Sequence, residues 1–600
     1  MERRRQADVP DSRCQETGSP NGGLTVTAAY EEELAAEAVT LSFATLPIEL
    51  LPQILQHLSW RIRDLASCAR VNSVWQVYAQ VLLYERIVLR NSNILIKVFR
   101  SLAAHPKNAA HARIVEIRAF PLGLLAEALE QIEIDIVIAL RNAKNLRELV
   151  WTRTGSLSDR VIVELFPHLH SLQKLQITGD TRTFDPALLV KSLKRPPPQS
   201  CCRAIEDPPR SGRFRKEASP YDTVGDSAQN RPTEAEPNAG ERCIERFSVN
   251  LPDKKMASKL PDVAEQLGGK LRGLNILSYH SSHVTDAVLQ AAALHLPNLT
   301  HLSIVGCKAV SIRGVLPVLQ AARGLLEELA LESLSLLPDD LHLISPSLGR
   351  LRVLSLTYPK ARIPAASFLA SLSDLVSQLE QLQSFTFYAP GGSKAITGAD
   401  EEPESDDEAG NNGSVSGARP DGYQHTSTTH HRADGCYSHG IPMSGPALST
   451  AFLQRLMITR GKQLRMLRLH GIGMSLDQLS FICDACSNEN DGQLVDLVVH
   501  LYEHDARAMR LCAALRRLGR LKDLHVLSSA NSDMLLTEAD LQNMADASPT
   551  TLRQIGFRHH VWMIDRSNYD RVRKKGCQLQ RWDNGSGAFF RPEALFAVRT

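Results

Sequence analysis

LRGLNILSYHSSHVTDAVLQAAALHLPNLTHLSIVGC, residues 271–307, contains one structural unit and the start of the next. Leu271, Leu274 and Ile276 follow a pattern of apolar, two variable, apolar, one variable, apolar; Leu299, Leu302 and Ile304 repeat it. The alternating half of each triplet fits a short strand with one buried face. Between the triplets, Asp286–Leu296 is amphipathic at helical spacing, with Thr285 placed to cap its start and Leu296-Pro297 to end it. A strand followed by a helix that returns to the same phase is a unit that cannot bury its apolar face alone and must stack on copies of itself.

Moving outward, the triplet recurs at Ile114–Ile117, Leu146–Leu149–Trp151, Leu172–Leu175–Ile177 and Ile244–Phe247–Val249 on the N-terminal side. It continues at Leu326–Leu329–Leu331, Leu351–Leu354–Leu356, Leu382–Phe385–Phe387, Leu464–Leu467–Leu469, Leu494–Leu497–Val499, Leu521–Leu524–Val526 and Leu552–Ile555–Phe557. These are thirteen candidate units, and they carry the signature of leucine-rich repeats. The repeats predict an α/β solenoid, with parallel strands on the concave face and helices outside. LYERIVLRN (83–91) reads as a strand in front of them, alternating from Tyr84 to Leu89, and SNILIKVFRSLAAHP as a helix stopped by Pro106.

Two steps are far longer than the rest, Leu172 to Ile244 and Leu382 to Leu464. The excess sequence, 194–242 and 391–446, is rich in Pro, Gly and Ser and poor in apolar residues, and reads as two disordered insertions. Since the period resumes after each, neither is a domain boundary. The repeat-bearing segments are therefore 84–193, 243–390 and 447–600, the last ending in a cap beyond Gln578. Residues 1–40 read as a disordered tail.

Ahead of the repeats lies LPIELLPQILQHLSWRIRDLASCARVNSVW, Leu46 to Trp75. Leu46, Leu50, Leu51, Ile54, Leu55 and Leu58 form one wide apolar face. Pro47 suits a first helical turn and Pro52 a restart, while Asp64 and Asn72 or Ser73 are placed to cap two further helices. A three-helix unit over 41–83 is too small to cover its own apolar surface. The order Leu-Pro-x-Glu-Leu-Leu-x-x-Ile-Leu, then Asp-Leu, then Val-x-x-x-Trp resembles an F-box, carried by Leu46, Pro47, Glu49, Leu50, Leu51, Ile54, Leu55, Asp64, Leu65, Val71 and Trp75. The resemblance implies docking on the Skp-type adaptor of a cullin–RING ubiquitin ligase through Leu46, Pro47, Glu49, Leu50, Ile54, Leu55, Leu65, Val71 and Trp75. The repeats also resemble those found behind F-boxes, although only Cys307 matches the cysteine that some of them carry after the strand. Together the two resemblances imply a substrate receptor of an SCF-type ligase that binds a target protein and performs no bond chemistry. The alternative is a leucine-rich scaffold or regulator, for example of small GTPases, with a helical cap.

Composition agrees with a binding protein. The chain is 43% hydrophobic but only 5% aromatic, so its core is aliphatic. A net charge of +2 implies no pull on nucleic acid or membranes. Eleven cysteines without regular spacing suit a reduced cytoplasmic or nuclear setting. No apolar run follows the basic start, so no signal peptide is expected, and no eighteen-residue apolar run predicts a membrane span. Phosphate loops, dinucleotide fingerprints and nucleophile elbows are missing from the sequence. His425, His430, His431, Cys436 and His439 are metal-ligand types, but their spacing matches no structural zinc motif, so neither a metal nor a cofactor is assigned. Cys483 and Cys486 read as a buried helix face, Asp400–Glu408 as a solvated acidic run and Arg571–Lys575 as a charged helix face.

The strand phase yields one further candidate. Residues between and after the triplet leucines face outward on the concave side. In the last four repeats these include Arg468, His470, His500, His525 and Arg558, and earlier Glu328, Glu332 and Tyr388. The C-terminal concave face is thus expected to be cationic or protonatable, suited to an acidic or phosphorylated segment of a target. A solvated face with ordinary charges is the plainer alternative.

Overall fold

The computed structural model describes residues 47–59, 61–194, 244–334, 336–358, 365–389, 446–501, 508–528, 536–557, 560–566 and 576–581. The chain divides into two compact units, Met1–Leu83 and Tyr84–Thr600.

In the first unit Pro47 leads a 3-10 turn, Ile48–Leu50, into helix α1, Leu51–Gln56, with Pro52 in its first turn, where no intrahelical N–H is lost. Helix α2 is Ile62–Cys68. Its N-cap is Arg61, not Asp64; Asp64 lies in the first turn, where its charge suits the helix dipole, and pairs with Arg61 at 3.6 Å. Asn72 does cap helix α3, Ser73–Glu85, its Oδ1 accepting from the Trp75 N–H at 2.9 Å. The core of this unit is Leu55, Leu65 and Ala79, flanked by Leu58, Cys68, Ala69, Trp75, Tyr78, Leu82 and Leu83.

The second unit is built on one sheet whose strands follow chain order. Its strands are β1 Arg86–Leu89, β2 Ile114–Ile117, β3 Glu148–Trp151, β4 Lys174–Thr178, β5 Arg246–Asn250, β6 Gly273–Ser281, β7 His301–Cys307 and β8 Glu328–Glu332. They continue as β9 Val353–Thr357, β10 Ser384–Tyr388, β11 Met466–Met474, β12 Asp496–Leu501, β13 Asp523–Ser528, β14 Gln554–Phe557, β15 His560–Asp565 and β16 Gln578–Arg581. The second and third residues of the triplets fall on strands β3 to β14, the first lying two residues ahead of each strand; Ile114 and Ile117 bound β2, and β1 precedes them. Tyr84 and Glu85 belong to α3, so β1 begins two residues later than the alternation suggests. The second and third triplet positions point into the core, as Leu302 and Ile304 do, while His301, Ser303 and Val305 stay partly exposed.

The two long sequence steps shrink to single strand spacings. Leu175 of β4 pairs in parallel with Phe247 of β5, and Phe385 of β10 with Leu467 of β11. The inserted sequences themselves, like the N-terminal tail, lie outside the described residues. The last two strands depart from the parallel expectation: β15 runs antiparallel to β14, and β16 antiparallel to β15. An antiparallel return needs no crossover helix and closes an array that would otherwise present another parallel edge. The cap therefore begins at His560, before Gln578.

Side chains from one repeat tie down the next. Ser158 caps its helix through the Val161 N–H at 3.4 Å. Thr285 occupies an N-cap position without a side-chain bond. Its neighbour Asp286 instead accepts from the N–H and Oγ of Ser311 on the following repeat, at 2.7 and 2.6 Å. Helix Ile312–Ala321 can approach this closely because residue 314 is glycine: a Cβ there would lie 2.8 Å from Asp286 Cα. Gly314→Ala is expected to destabilise the array by about 1–3 kcal/mol through overpacking, measurable as an earlier denaturant midpoint; an unchanged midpoint would show that the helices slide apart freely.

Candidate protein-binding surfaces

The nine residues expected to meet an adaptor divide into two groups. Pro47, Glu49, Leu50, Ile54 and Val71 are exposed, Leu50 at 42%, Ile54 at 37% and Val71 at 59%. Trp75 is half-buried against the core, and Leu46 lies outside the described residues. Leu55 and Leu65 are fully buried and cannot be contact residues; they hold the three helices together. Ile48 and Ile62 are exposed as well, with Val74, Val77 and Val81 along α3. Their three-four spacing on that helix was a usable sign of a second apolar stripe. Among the described residues of this unit these side chains form an exposed aliphatic surface.

On the repeat unit the outward positions form rows across the sheet. Glu148 pairs with Lys174 at 3.3 Å. Arg246 reaches across β6 to His301 Nε2 at 2.8 Å, because Gly273 between them carries no side chain; a Cβ there would lie 2.9 Å from Arg246 Cγ. His301 in turn meets Glu328 at 3.2 Å. Glu332 and Tyr388, expected on the open face, are buried. The Tyr388 hydroxyl donates to Glu332 at 2.8 Å, Ser355 donates to the same carboxylate at 2.6 Å, and burial together with Glu332 raises the Tyr388 phenol above its ordinary range. They form an internal brace rather than a surface.

At the C-terminal end the expected cationic patch is not what the side chains make. Arg468 is held by Asp496 through two bonds, 3.3 and 2.5 Å, which neutralise it. Asp496 stands directly across from Asp523 on the next strand. Burial, reinforced by Arg468, His525 and His500, pushes the His470 imidazole down to about 3, so it is neutral at physiological pH. Burial lowers His500 too. His525 is half-buried, with its ring over the backbone of Gly556, where a Cβ would lie 2.6 Å from its Cγ. Arg558 lies outside the described residues. Asp496 and Asp523 escaped the sequence reading, although they occupy outward positions just before the middle triplet residue.

Other chemistry-bearing residues are inert or undescribed. The Cys483 and Cys486 thiols are buried and pushed up to about 12 by desolvation. Among the described residues no group of three or more His, Cys, Asp and Glu side chains is arranged to hold a metal ion, and no helix is long and apolar enough to cross a membrane. The histidines at 425–439, the acidic run at 400–408 and the basic run at 571–575 fall outside the described residues.

Residues 43–90 match the F-box-like family. No curated protein matches the chain. Among solved structures, the leucine-rich repeat-containing protein LegL7 from Legionella pneumophila is 10% identical with a TM-score of 0.28, covering 77% of this chain and 96% of that one. The TLR13 in a TLR13–ssRNA13 complex is 12% identical with a TM-score of 0.23, covering 76% of this chain and 52% of that one. The chain thus combines an F-box-like domain over residues 43–90 with strands β2–β14 that carry the Leu-x-x-Leu-x-Leu phase of leucine-rich repeats.

Proposed function

We propose that this protein is the substrate-recognition subunit of an SCF-type cullin–RING ubiquitin ligase. Its F-box-like unit binds a Skp-type adaptor, a kind of partner that F-box domains generally bind, and its repeats hold a target protein for ubiquitination. The observation that carries the reading is the aliphatic surface of a family-matched unit, Ile48, Leu50, Ile54 and Val71, exposed among the described residues. The contribution is proximity: target and charged conjugating enzyme are held together, and this chain makes and breaks no bond. It works without cofactor, nucleic acid or membrane, in the cytoplasm, the nucleus or both. On the target side, Arg468, His470, His500 and His525 belong to the recognition face, with Arg468 paired to Asp496 and burial lowering the His470 and His500 imidazoles.

The test is capture of the Skp-type adaptor by the full-length chain. Leu46→Ala with Pro47→Ala is expected to abolish capture without moving the melting transition of the repeats. A wild-type chain that fails to bind the adaptor at micromolar concentration would replace this reading with a leucine-rich scaffold or regulator.

A further inference from the structure

The residue just ahead of each strand belongs to a row along the N-terminal edge of the sheet. From β9 to β14 that row reads Arg352, Gln383, Arg465, Val495, Lys522 and Arg553. The N–H of each donates to the carbonyl of its predecessor at 2.7 or 2.8 Å, beginning with Arg352 on Glu327. The row is therefore fixed by the same ladder that sets the strand register. Its four cations are exposed, and among the described residues none of their side chains makes a hydrogen bond or an ion pair. Nearer the N-terminal end the same row alternates in sign, with Glu245 and Glu327 either side of Arg272. Arg520 adds an exposed guanidinium beside Lys522, with one donor on Gln493. Two carboxylates begin the strands here. Asp496 is held by Arg468, and Asp523, partly buried, meets both Lys522 and Arg553, one carboxylate for two cations.

Like charges held side by side on a rigid edge repel one another, and an anion laid along them relieves that repulsion. Neighbouring strands lie about 4.8 Å apart, so Arg352, Arg465 and Lys522, each two strands on from the last, recur about every 9.6 Å. An extended polyproline-II segment rises about 3.1 Å per residue, which brings every third side chain back to one face after about 9.3 Å. A single-stranded nucleic acid is also anionic, but it binds by stacking its bases on aromatic rings, and this row sets Gln383 and Val495 between its cations. We infer that the N-terminal edge of β9–β14 takes an extended acidic segment of the target protein, with aspartate or glutamate at every third position meeting Arg352, Arg465 and Lys522, and Arg553 beyond them. The inference rests on the proposal that the repeats hold a target, and it names the chemistry of that target. It moves acid recognition from the concave face, where Arg468 is neutralised, to the edge beside it.

The probe is a fluorescent nine-residue peptide with glutamate at every third position, titrated against the full-length chain beside its glutamine counterpart and a DNA strand of equal length. The glutamate peptide is expected to bind about tenfold tighter than either. Lys522→Gln combined with Arg553→Gln, both at exposed sites, is expected to weaken it about tenfold. Arg147→Gln combined with Arg272→Gln, in the same row but where it alternates in sign, is expected to leave it unchanged; melting curves confirm that each variant is folded. No preference for glutamate, indifference to the first pair of changes, or an equal loss from the second overturns the inference. Tighter binding of the DNA strand overturns it in favour of a nucleic acid. Peptide binding that appears only once Asp406, Asp407 and Glu408 are exchanged for their amides overturns it in favour of the chain's own acidic run. All of these outcomes leave the receptor reading standing, because adaptor capture judges that separately.

Discussion

Leu55→Ala is expected to unfold the N-terminal helical unit, while Ile54→Ala, one residue away, leaves it folded but poorly able to hold an adaptor. Leu55 is fully buried and is one of three residues at the centre of the core, with Leu65 and Ala79. Truncating a buried leucine costs about 2–5 kcal/mol, because methylene burial is lost and a cavity remains. A unit of this size has only about 3–5 kcal/mol to lose. Ile54 is 37% exposed, so its truncation removes little folding energy but takes an aliphatic anchor from the docking face. Hydrogen exchange on the full-length chain separates the two. Leu55→Ala should bring the amides of α1–α3 to unfolded rates with β2–β14 still protected. Ile54→Ala should keep α1–α3 protected and weaken adaptor capture by about tenfold or more. The reverse order, with Ile54→Ala unfolding the unit, would mean that its inside and outside have been assigned backwards.

That pair also shows where sequence reasoning stops. An F-box-like motif records which positions are apolar. Leu55 packs inside, whereas Ile54 lies on the surface that we propose an adaptor covers. Both signals look alike in a string of letters, and only the helix phase set by α2 and α3 separates them. The repeats are legible for the opposite reason. Each triplet is specified locally, and a strand that slips by one residue would turn its leucines to solvent. The phase therefore survives even where long stretches interrupt it, as between β4 and β5. The concave face is legible in position but not in chemistry. Arg468 is visibly an outward arginine; that Asp496 neutralises it depends on cross-strand register, as does the link from Tyr388 to Glu332. Burial of His470 turns a residue type that suggests a charge into a neutral acceptor. The closing strands β15 and β16 carry no triplet, since antiparallel strands at the end of the array need neither the phase nor a following helix.

The register between β10 and β11 leads to the second large effect. The chain leaves β10 after Tyr388 and resumes its period at helix Thr450–Arg460, so the seam between these repeats must be closed by contacts made across the inserted sequence. Phe452 supplies the apolar part: its ring packs on Phe385 and Phe387 of β10, with centroids 6.0 and 6.2 Å apart, and it is almost fully buried. Arg460 supplies the polar part, donating to the carbonyls of Val376, Ser377 and Glu380 at 3.2, 2.7 and 3.4 Å, at and just beyond the end of the preceding helix Ala365–Gln378. Phe452→Ala is expected to cost about 3–5 kcal/mol. In a stacked array, stability is close to a sum of repeats and nearest-neighbour interfaces, so a loss at one seam does not spread evenly. Amides of β11–β14 should lose protection at lower denaturant than those of β2–β9, turning one unfolding transition into two. A single transition shifted as a whole would show instead that the array is cooperative across the insertion. The polar ties of Arg460 would then be the stronger link, and Arg460→Ala should produce the split that Phe452→Ala did not.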